Sequence, residues 1–426
     1  MMKTKNDDKH GDYPFKPLVE SASWTRQDYC LLVFNLLVKF GNSVQLYMPG
    51  VITQLVSCDL GVSNLQEGFL GVVLYVFLLV SVLVAVPLSK RFGARSILFI
   101  SLYSLIALSG LLLVTPNFYL MLLSRALTGF CVGLNSATAG VHFAQNASSP
   151  EINKKCSFLV TLSISLGSAW ISFFGWLIMD KVGWRLFVVL GTVPIFLPAA
   201  IILHVCRSPT EENRSTSEES AQKITVSNPK TRIVKSSLFM CVSLILGYGV
   251  ILLLPSIIRW NKETKGENLD DKCGSAVQGN EFLVLTVVKL ANIIGRFSGY
   301  YLRSYCSFTI LQSTVSLIIA VSYSVMVYLK VPGILIATVL LGLSKLCYSI
   351  QQTECGILRF DPAYFGTEYL ARGSAIMISG GFFGGLIGTA VAAFLDPYVA
   401  VITFLVLSLC QVAVVCSMTE RRDLEC

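Results

Sequence analysis

Charged residues are scarce in this chain of 426 residues, and their scarcity excludes most soluble classes of protein. Only 14% of the residues are Asp, Glu, Lys or Arg, whereas roughly a quarter is usual in a soluble globular domain. The hydrophobic residues, 54% of the chain, are gathered in long runs. A run of about 20 apolar residues is long enough to cross a bilayer as a helix. The composition therefore predicts a protein that crosses the membrane many times.

The patterns of metal sites, catalysis and nucleic-acid binding are also missing. The 13 cysteines include no Cys-x-x-Cys pair, and the 3 histidines are scattered, so no zinc-type spacing occurs. No Ser-His-Asp or Cys-His arrangement indicates a nucleophile. The net charge of +8 comes from bases in short segments between apolar runs, which is the pattern of membrane orientation. We therefore expect no enzyme, no cofactor, no metal and no nucleic-acid partner.

Twelve apolar runs predict twelve transmembrane helices. A polar stretch at 207–236 divides them six and six, and its composition predicts a linker. The flanking segments, 29–206 and 237–418, are expected to form two six-helix bundles, with tails at 1–28 and 419–426. Lys and Arg are concentrated on the side of the two tails, which predicts cytoplasmic termini. The runs lie at residues 29–51, 65–88, 96–115, 119–142, 157–179, 185–205, 237–258, 282–302, 306–329, 332–352, 373–394 and 398–418.

Glycine- and arginine-containing motifs occur in a characteristic order along the chain. The fourth run contains Arg125 followed by Gly129 and Gly133, and Gly183-Trp184-Arg185 lies between the fifth and sixth. The stretch from Cys58 to Gly68, with Tyr75 after it, and the motif Gly247-Tyr248-Gly249 belong to the same series. Together these motifs resemble the major facilitator superfamily, and within it the organic ion transporters and the synaptic vesicle glycoprotein 2-related proteins.

This resemblance implies an all-α fold of two six-helix bundles that carries a small organic solute by alternating access. It also implies a monomer in the lipid bilayer of the plasma membrane or of intracellular vesicles. Residues that match the family's gating and packing motifs are expected to have those roles here: Arg91, Gly93, Arg95, Arg125, Gly129, Gly133, Trp184, Arg185 and Arg372.

The loops that form the inner gate in the family are altered in this chain. Lys90 and Ala94 stand where the family has Asp and a base, and the corresponding stretch near Arg303 is almost erased. The alteration leaves a second hypothesis open: a transporter-like protein that no longer transports and acts as a receptor or assembly partner in vesicle membranes.

Bases outnumber acids inside the predicted spans. They are Lys39, Arg125, Lys289, Arg296 and Lys345, against one acid, Glu67. Charges in a span are costly and usually face a cavity or a partner. Unpaired cations around a wet cavity favour an anionic solute by Coulomb attraction, so the substrate is expected to be an organic anion.

Polar residues fall at helical spacing in three of the runs. Asn35, Lys39 and Asn42 share one face, Lys289, Asn292 and Arg296 another, and Lys345, Tyr348 and Gln352 a third. The resemblance implies that the first, fourth, seventh and tenth helices line the cavity. The predicted substrate-binding residues are Lys39, Asn42, Gln45, Lys289, Asn292, Lys345, Tyr348 and Gln352.

Several of these residues have alternative roles. Arg125 is expected to pack rather than to contact substrate, Arg296 could extend to the membrane surface, and Lys345 fits a cavity or a structural role equally. Cys58 and Cys273 could form a disulfide across the two halves, or could remain two free thiols.

Overall fold

A computed structural model describes residues 25–146, 150–205, 228–264, 279–303, 305–330, 333–358, 362–365 and 369–418. Within these ranges the chain is helical and contains no strand. The first half contains α1 (Arg26–Tyr47), α2 (Pro49–Leu60), α3 (Asn64–Phe92), α4 (Ala94–Leu111), α5 (Phe118–Asn146) and α6 (Pro150–Val205). The second half contains α7 (Pro229–Thr264), α8 (Gly279–Leu302), α9 (Phe308–Tyr328), α10 (Ile334–Leu358), α11 (Pro362–Phe365), α12 (Leu370–Phe394) and α13 (Pro397–Met418).

The α6 segment is two membrane spans joined by a sharp break. Gly183 has φ +70° and ψ 164°, a conformation that residues with a side chain rarely adopt. Phe174 and Phe187 stack with ring centres 5.6 Å apart, whereas a straight helix would separate them by about 20 Å. The chain therefore folds back at Gly183, and eleven apolar segments of the described residues correspond to twelve spans, as predicted.

Several helices extend beyond their apolar runs. Helix α2 continues the first span to Leu60, so only three residues, not the 13 expected, connect it to α3. Helix α7 begins at Pro229, inside the segment predicted to be a linker, and α10 continues to Leu358, six residues beyond its predicted end. Hydropathy locates the part of a helix within the hydrocarbon, but the backbone hydrogen bonds continue into the interface.

Glycine allows close contact between helices within each half. In the first half, a Cβ at Gly129 or Gly133 would overlap the backbone of Leu74 or Leu78 on α3. In the second half, Gly384 and Gly388 lie equally close to the backbone of α7. Small residues are the usual means by which membrane helices approach each other, and each half is therefore tightly packed.

The two bundles meet along two lines of contact. Helix α3 packs against α12, and α6 packs against α8 and α10. With twelve spans, α1 begins and α13 ends on the same side of the membrane, which we call the terminal side. On the opposite side, Phe69 of α3 contacts Phe394 of α12, with ring centres 5.3 Å apart. On the terminal side, Phe158 of α6 contacts Tyr300 of α8 at 4.4 Å.

Candidate functional site

Two lysine side chains from the second bundle meet one tyrosine ring of the first. The ammonium nitrogen of Lys289 lies 3.7 Å from the centre of the Tyr47 ring, and that of Lys345 lies 5.5 Å from it. All three residues are buried. An aromatic face attracts a cation through its quadrupole, and most strongly where water is excluded. Tyr47 thus joins two buried positive charges between the bundles.

Lys345 makes further contacts with both bundles. Its ammonium donates a hydrogen bond to the carbonyl of Gly247 at 2.6 Å and lies 3.4 Å from the hydroxyl of Tyr47. It also lies 4.5 Å from the centre of the Tyr348 ring. The absence of a side chain at Gly247 permits this arrangement, because a Cβ there would overlap the Tyr348 ring.

Two further tyrosines, Tyr248 and Tyr75, extend the aromatic group that begins at Tyr47. The Tyr248 ring lies 5.8 Å from Tyr47 and 5.2 Å from Tyr75 between ring centres. We call Tyr47, Tyr75, Tyr248, Tyr348, Lys289 and Lys345 the central cluster. Its helices are α1, α3, α7, α8 and α10, so both bundles contribute. The cluster offers aromatic faces, hydroxyl groups and two ammonium groups in one buried region.

The polar face of α8, formed by Lys289, Asn292 and Arg296, lies along the contact with the first bundle. Asn292 donates a hydrogen bond to Ser168 at 3.4 Å and accepts one from Ser349. Arg296 donates to Ser165 at 3.1 Å. Arg296 is buried and does not reach the membrane surface, because the hydroxyl on α6 binds its guanidinium inside the protein.

The polar residues of α1 form hydrogen bonds within their own bundle. The Lys39 ammonium donates to the carbonyl of Ser136 at 3.0 Å, and Asn42 donates to the hydroxyl of the same residue at 3.1 Å. Gln45 donates to Thr192 at 2.6 Å. In α10, Gln352 contacts the sulfur of Met240 at 3.5 Å. The structure therefore brings Lys289, Lys345 and Tyr348 together and places these four predicted residues elsewhere.

The predicted gating and packing residues of the first bundle lie in different surroundings. Arg95 donates to the carbonyl of Leu203 at 2.8 Å and thus ties α4 to the end of α6. Arg91 is exposed and lies over the ring of Phe92. Arg125 is fully buried, and neither of its terminal nitrogens has a hydrogen-bond partner among the described residues. Gly93 has φ +82° at the turn before α4.

Trp184 and Arg185 form a clamp on the side opposite the termini. The Arg185 guanidinium pairs with the carboxylate of Asp59 at 2.5 Å, and the Trp184 indole donates to the same carboxylate at 3.2 Å. Arg185 also lies 4.5 Å from the centre of the Trp184 ring. The clamp fixes the end of α2 to the break at Gly183. A shallow cavity of ≈ 390 Å³ beside it is lined by first-bundle residues alone.

Two predicted roles stay predictions, those of Cys273 and Arg372. Cys273 lies outside the described ranges, so the disulfide with Cys58 stays a prediction. Arg372 lies in the first turn of α12, and its predicted role likewise stays a prediction.

Sequence reasoning missed two residues at important positions. Tyr47 was not among the predicted site residues, although its place in an apolar span, where a buried hydroxyl needs a partner, was a usable signal. Glu354 was missed because the tenth run was ended at residue 352. It lies inside α10 and is buried, so the expectation of a single acid in the spans was wrong. Its carboxylate lies 3.7 Å from Arg303.

Two six-helix membrane bundles with a buried polar cluster between them define the fold class of secondary transporters. The family model of the Major Facilitator Superfamily matches residues 36–389. The chain belongs to this superfamily and is therefore a multi-pass membrane protein of a secondary transporter family.

Two relatives give the scale of the similarity. The chain is 22% identical over 246 residues to svop-1 of Caenorhabditis elegans, a proposed transporter, and the match covers 55% of this chain and 46% of that protein. It thus corresponds to about half the length of this relative. The fold is similar to the crystal structure of a bacterial homologue of the human lysosomal transporter Spinster, in an inward-facing and occupied conformation. The TM-score is 0.68 at 14% identity, over 94% of this chain and 99% of that chain.

Proposed function

We propose that this chain transports a small organic anion by alternating access, with Lys289 and Lys345 as the groups that attract its negative charge. The observation that carries the proposal is the contact of both ammonium groups with the Tyr47 ring. This contact lies where the two bundles meet, and a solute bound there would touch both. Central sites between two bundles are the basis of alternating access in such transporters.

The charge of the cluster supports an anionic substrate. Neither lysine pairs with a carboxylate of the described residues, whose ion pairs are Arg185–Asp59 and Arg303–Glu354. A buried charge without a counter-ion costs several kcal/mol. An anion about 4 Å from one ammonium gains about 4 kcal/mol at an effective dielectric constant of about 20. The solute itself would therefore supply the missing negative charge.

The tyrosines support an organic rather than an inorganic anion. The ring centres of Tyr47 and Tyr75 each lie within 6 Å of the ring centre of Tyr248. The three rings together offer apolar contact area. The Tyr75 hydroxyl is buried and has no hydrogen-bond partner among the described residues, so it is available to a polar group of the solute. A small molecule with an apolar body and an acidic group fits this surface.

The packing supports movement of two rigid bundles. Each bundle is closely packed by glycines, whereas the hydrogen bonds that link α8 to α6, Asn292–Ser168 and Arg296–Ser165, are single contacts. Such contacts can break and re-form as the bundles rock. We further propose that the protein acts as a monomer with both termini in the cytoplasm, since Lys and Arg are concentrated on that side.

Uptake into proteoliposomes tests the proposal. The purified chain is reconstituted and supplied with labelled organic anions and organic cations of similar size. We expect uptake of anions, and we expect Lys289→Gln to lower it at least tenfold while Lys39→Gln, a change at a lysine held by Ser136, has a smaller effect. Preferential uptake of cations, or anion uptake that Lys289→Gln leaves unchanged, would contradict the proposal. Folded protein that takes up no member of the panel would favour the non-transporting alternative.

A further inference from the structure

A group of polar side chains lies in the core of the second bundle, apart from the central cluster. It consists of residues from four helices, all at most 3% exposed: Ser243, Gln312, Ser316, Gln351, Glu354 and Gln411. Ser243 lies on α7, two residues each on α9 and α10, and Gln411 on α13. Side chains of this kind are expensive in the interior of a membrane protein unless they bind a partner, so their concentration here needs a reason.

Part of the group is joined by hydrogen bonds. The Gln351 amide donates to the hydroxyl of Ser316 at 2.9 Å. The Gln411 amide donates to the hydroxyl of Ser243 at 2.6 Å and to the Gln351 side-chain oxygen at 3.2 Å. These bonds join all four helices around Gln351 and orient the remaining oxygens.

The atoms that have no partner are mostly oxygens. Gln312 Oε1, Gln411 Oε1 and Glu354 Oε1 are buried and lack a hydrogen-bond donor among the described residues, and Gln312 Nε2 is the one nitrogen of the group in that condition. An unsatisfied buried polar atom costs about 1–3 kcal/mol, and more if it is charged. Three free acceptors against one donor favour a ligand that is a cation.

The helix geometry places two of these residues at a similar depth. Gln312 lies one turn from Ser316, and Glu354 lies one turn from Gln351, both toward the terminal side. Since α9 and α10 run in opposite directions and pack together, and Gln351 is bonded to Ser316, Gln312 and Glu354 lie on facing sides of the two helices. A carboxylate side chain and an amide side chain are thus neighbours across the contact between α9 and α10.

We infer that this group is a binding site for a monovalent cation of the size of sodium. Its ligands would be oxygens of Gln312, Glu354 and Gln411, which are the hard donors that such ions prefer. The site holds one carboxylate, which balances one positive charge; a divalent ion would leave a charge uncompensated. Arg303, whose side chain is 39% exposed, contacts the other carboxylate oxygen of Glu354 at 3.7 Å and competes with the ion.

The site is independent of the central cluster and is tested without transport. The full chain in detergent is heated in sodium chloride or in choline chloride at equal ionic strength, across a range of sodium concentrations. Sodium is expected to raise the unfolding temperature in a saturable way, because a ligand that binds only the folded state stabilises it. Glu354→Gln and Gln312→Leu should each weaken the sodium affinity by at least about 10-fold, because a change even to the outer-shell partners of metal ligands costs about 10- to 100-fold.

Two further variants separate the site from general effects. Asn135→Leu removes a comparably buried amide from the first bundle and should leave the sodium response unchanged, whereas Arg303→Gln should strengthen it by removing the competing cation. If either Glu354→Gln or Gln312→Leu does not fold, the other variant and Arg303→Gln still decide the matter. Equal unfolding temperatures in sodium and choline would overturn the inference, and so would a stabilisation that follows pH but not sodium. Loss of the sodium response with anion uptake retained would separate this site from the proposed transport function.

Discussion

The ammonium of Lys289 lies 3.7 Å from the centre of the Tyr47 ring, although these residues belong to different bundles. Tyr47 lies at the end of α1, and Lys289 lies in the middle of α8. Any motion that separates the bundles at this level also separates the cation from the ring. An anionic solute that binds Lys289 can therefore alter the contact between the bundles, which is the coupling that alternating access requires.

The ring of Tyr47 matters more than its hydroxyl. Tyr47→Phe keeps the aromatic face and loses only the contact of the hydroxyl with Lys345, so the KM for the anion should change less than about threefold. Tyr47→Leu removes the face, and the loss of about 2 kcal/mol of cation–π energy should weaken binding roughly 30-fold. Uptake kinetics measure both values. Equal effects of the two substitutions would contradict this role for the ring.

Gly247 determines the position of Tyr348. In Gly247→Ala the new methyl group overlaps the Tyr348 ring, and the ring must move away from Lys345. We expect anion uptake to fall at least tenfold with little loss of expression. Gly342→Ala on α10 is the matched control, because a Cβ there meets no atom within 4 Å. The same loss in both variants would show that the effect is not specific to the site.

Asp59 stabilises the clamp formed with Trp184 and Arg185. The ion pair is partly exposed, with side-chain exposures of 34% for Arg185 and 41% for Asp59, and solvent therefore weakens it. Asp59→Asn should lower the free energy of unfolding by about 1 kcal/mol, measured by thermal unfolding in detergent. Asp180→Asn changes a second exposed carboxylate beside the same cavity and should have no effect. A similar destabilisation by both would argue against the clamp.

His142 makes the stability of the first bundle depend on pH. In the structure the apolar segment of α5 runs from Phe118 to Gly140, shorter than the run predicted, and His142 lies beyond it. Burial, helped by the positive charge of Arg95, lowers the pKa of His142 from 6.5 to about 4. Above pH 6.5 the ring is neutral in the folded and unfolded chains alike. Between pH 6.5 and 4 the unfolded chain takes up the proton first, so the folded state should lose up to about 3 kcal/mol.

Thermal unfolding between pH 7 and pH 4 checks this prediction. His142→Phe preserves an aromatic contact with Phe34, whose ring centre lies 5.9 Å from that of His142, and removes the titration. Its unfolding temperature should fall less steeply on acidification than that of the unmodified chain. Parallel curves for the two proteins would refute a role for His142.

The bundle architecture could be predicted because its cause is local. Twenty apolar residues in sequence can only be a span, and glycines such as Gly129 and Gly384 stand at the spacing of close helix contacts. The helix ends could not be predicted in the same way. The ends of α2 and α10 depend on packing and capping outside the apolar runs, which hydropathy does not record. Because the tenth run was ended too early, the buried Glu354 of α10 was missed.

The site could be predicted only in part because periodicity shows which residues share a face but not what that face contacts. Lys289 and Lys345 stood out as charges within spans, and the structure brings them together. Lys39 stood out in the same way, but its partner is the carbonyl of Ser136 on α5. Tyr47 has no charge to draw attention to it, and its contact with Lys289 follows only from the tertiary packing of α1 and α8.

The most direct test of the account asks whether the positive charge of residue 289, rather than the shape of its side chain, binds the solute. Affinity for the best transported anion is determined by equilibrium binding to purified Lys289→Arg and Lys289→Gln. Arg keeps the positive charge on a side chain of similar reach, so we expect its affinity to remain within about tenfold of the unmodified chain, while Gln loses at least about tenfold more. Equal affinities of the Arg and Gln variants would show that the charge of residue 289 does not bind the solute.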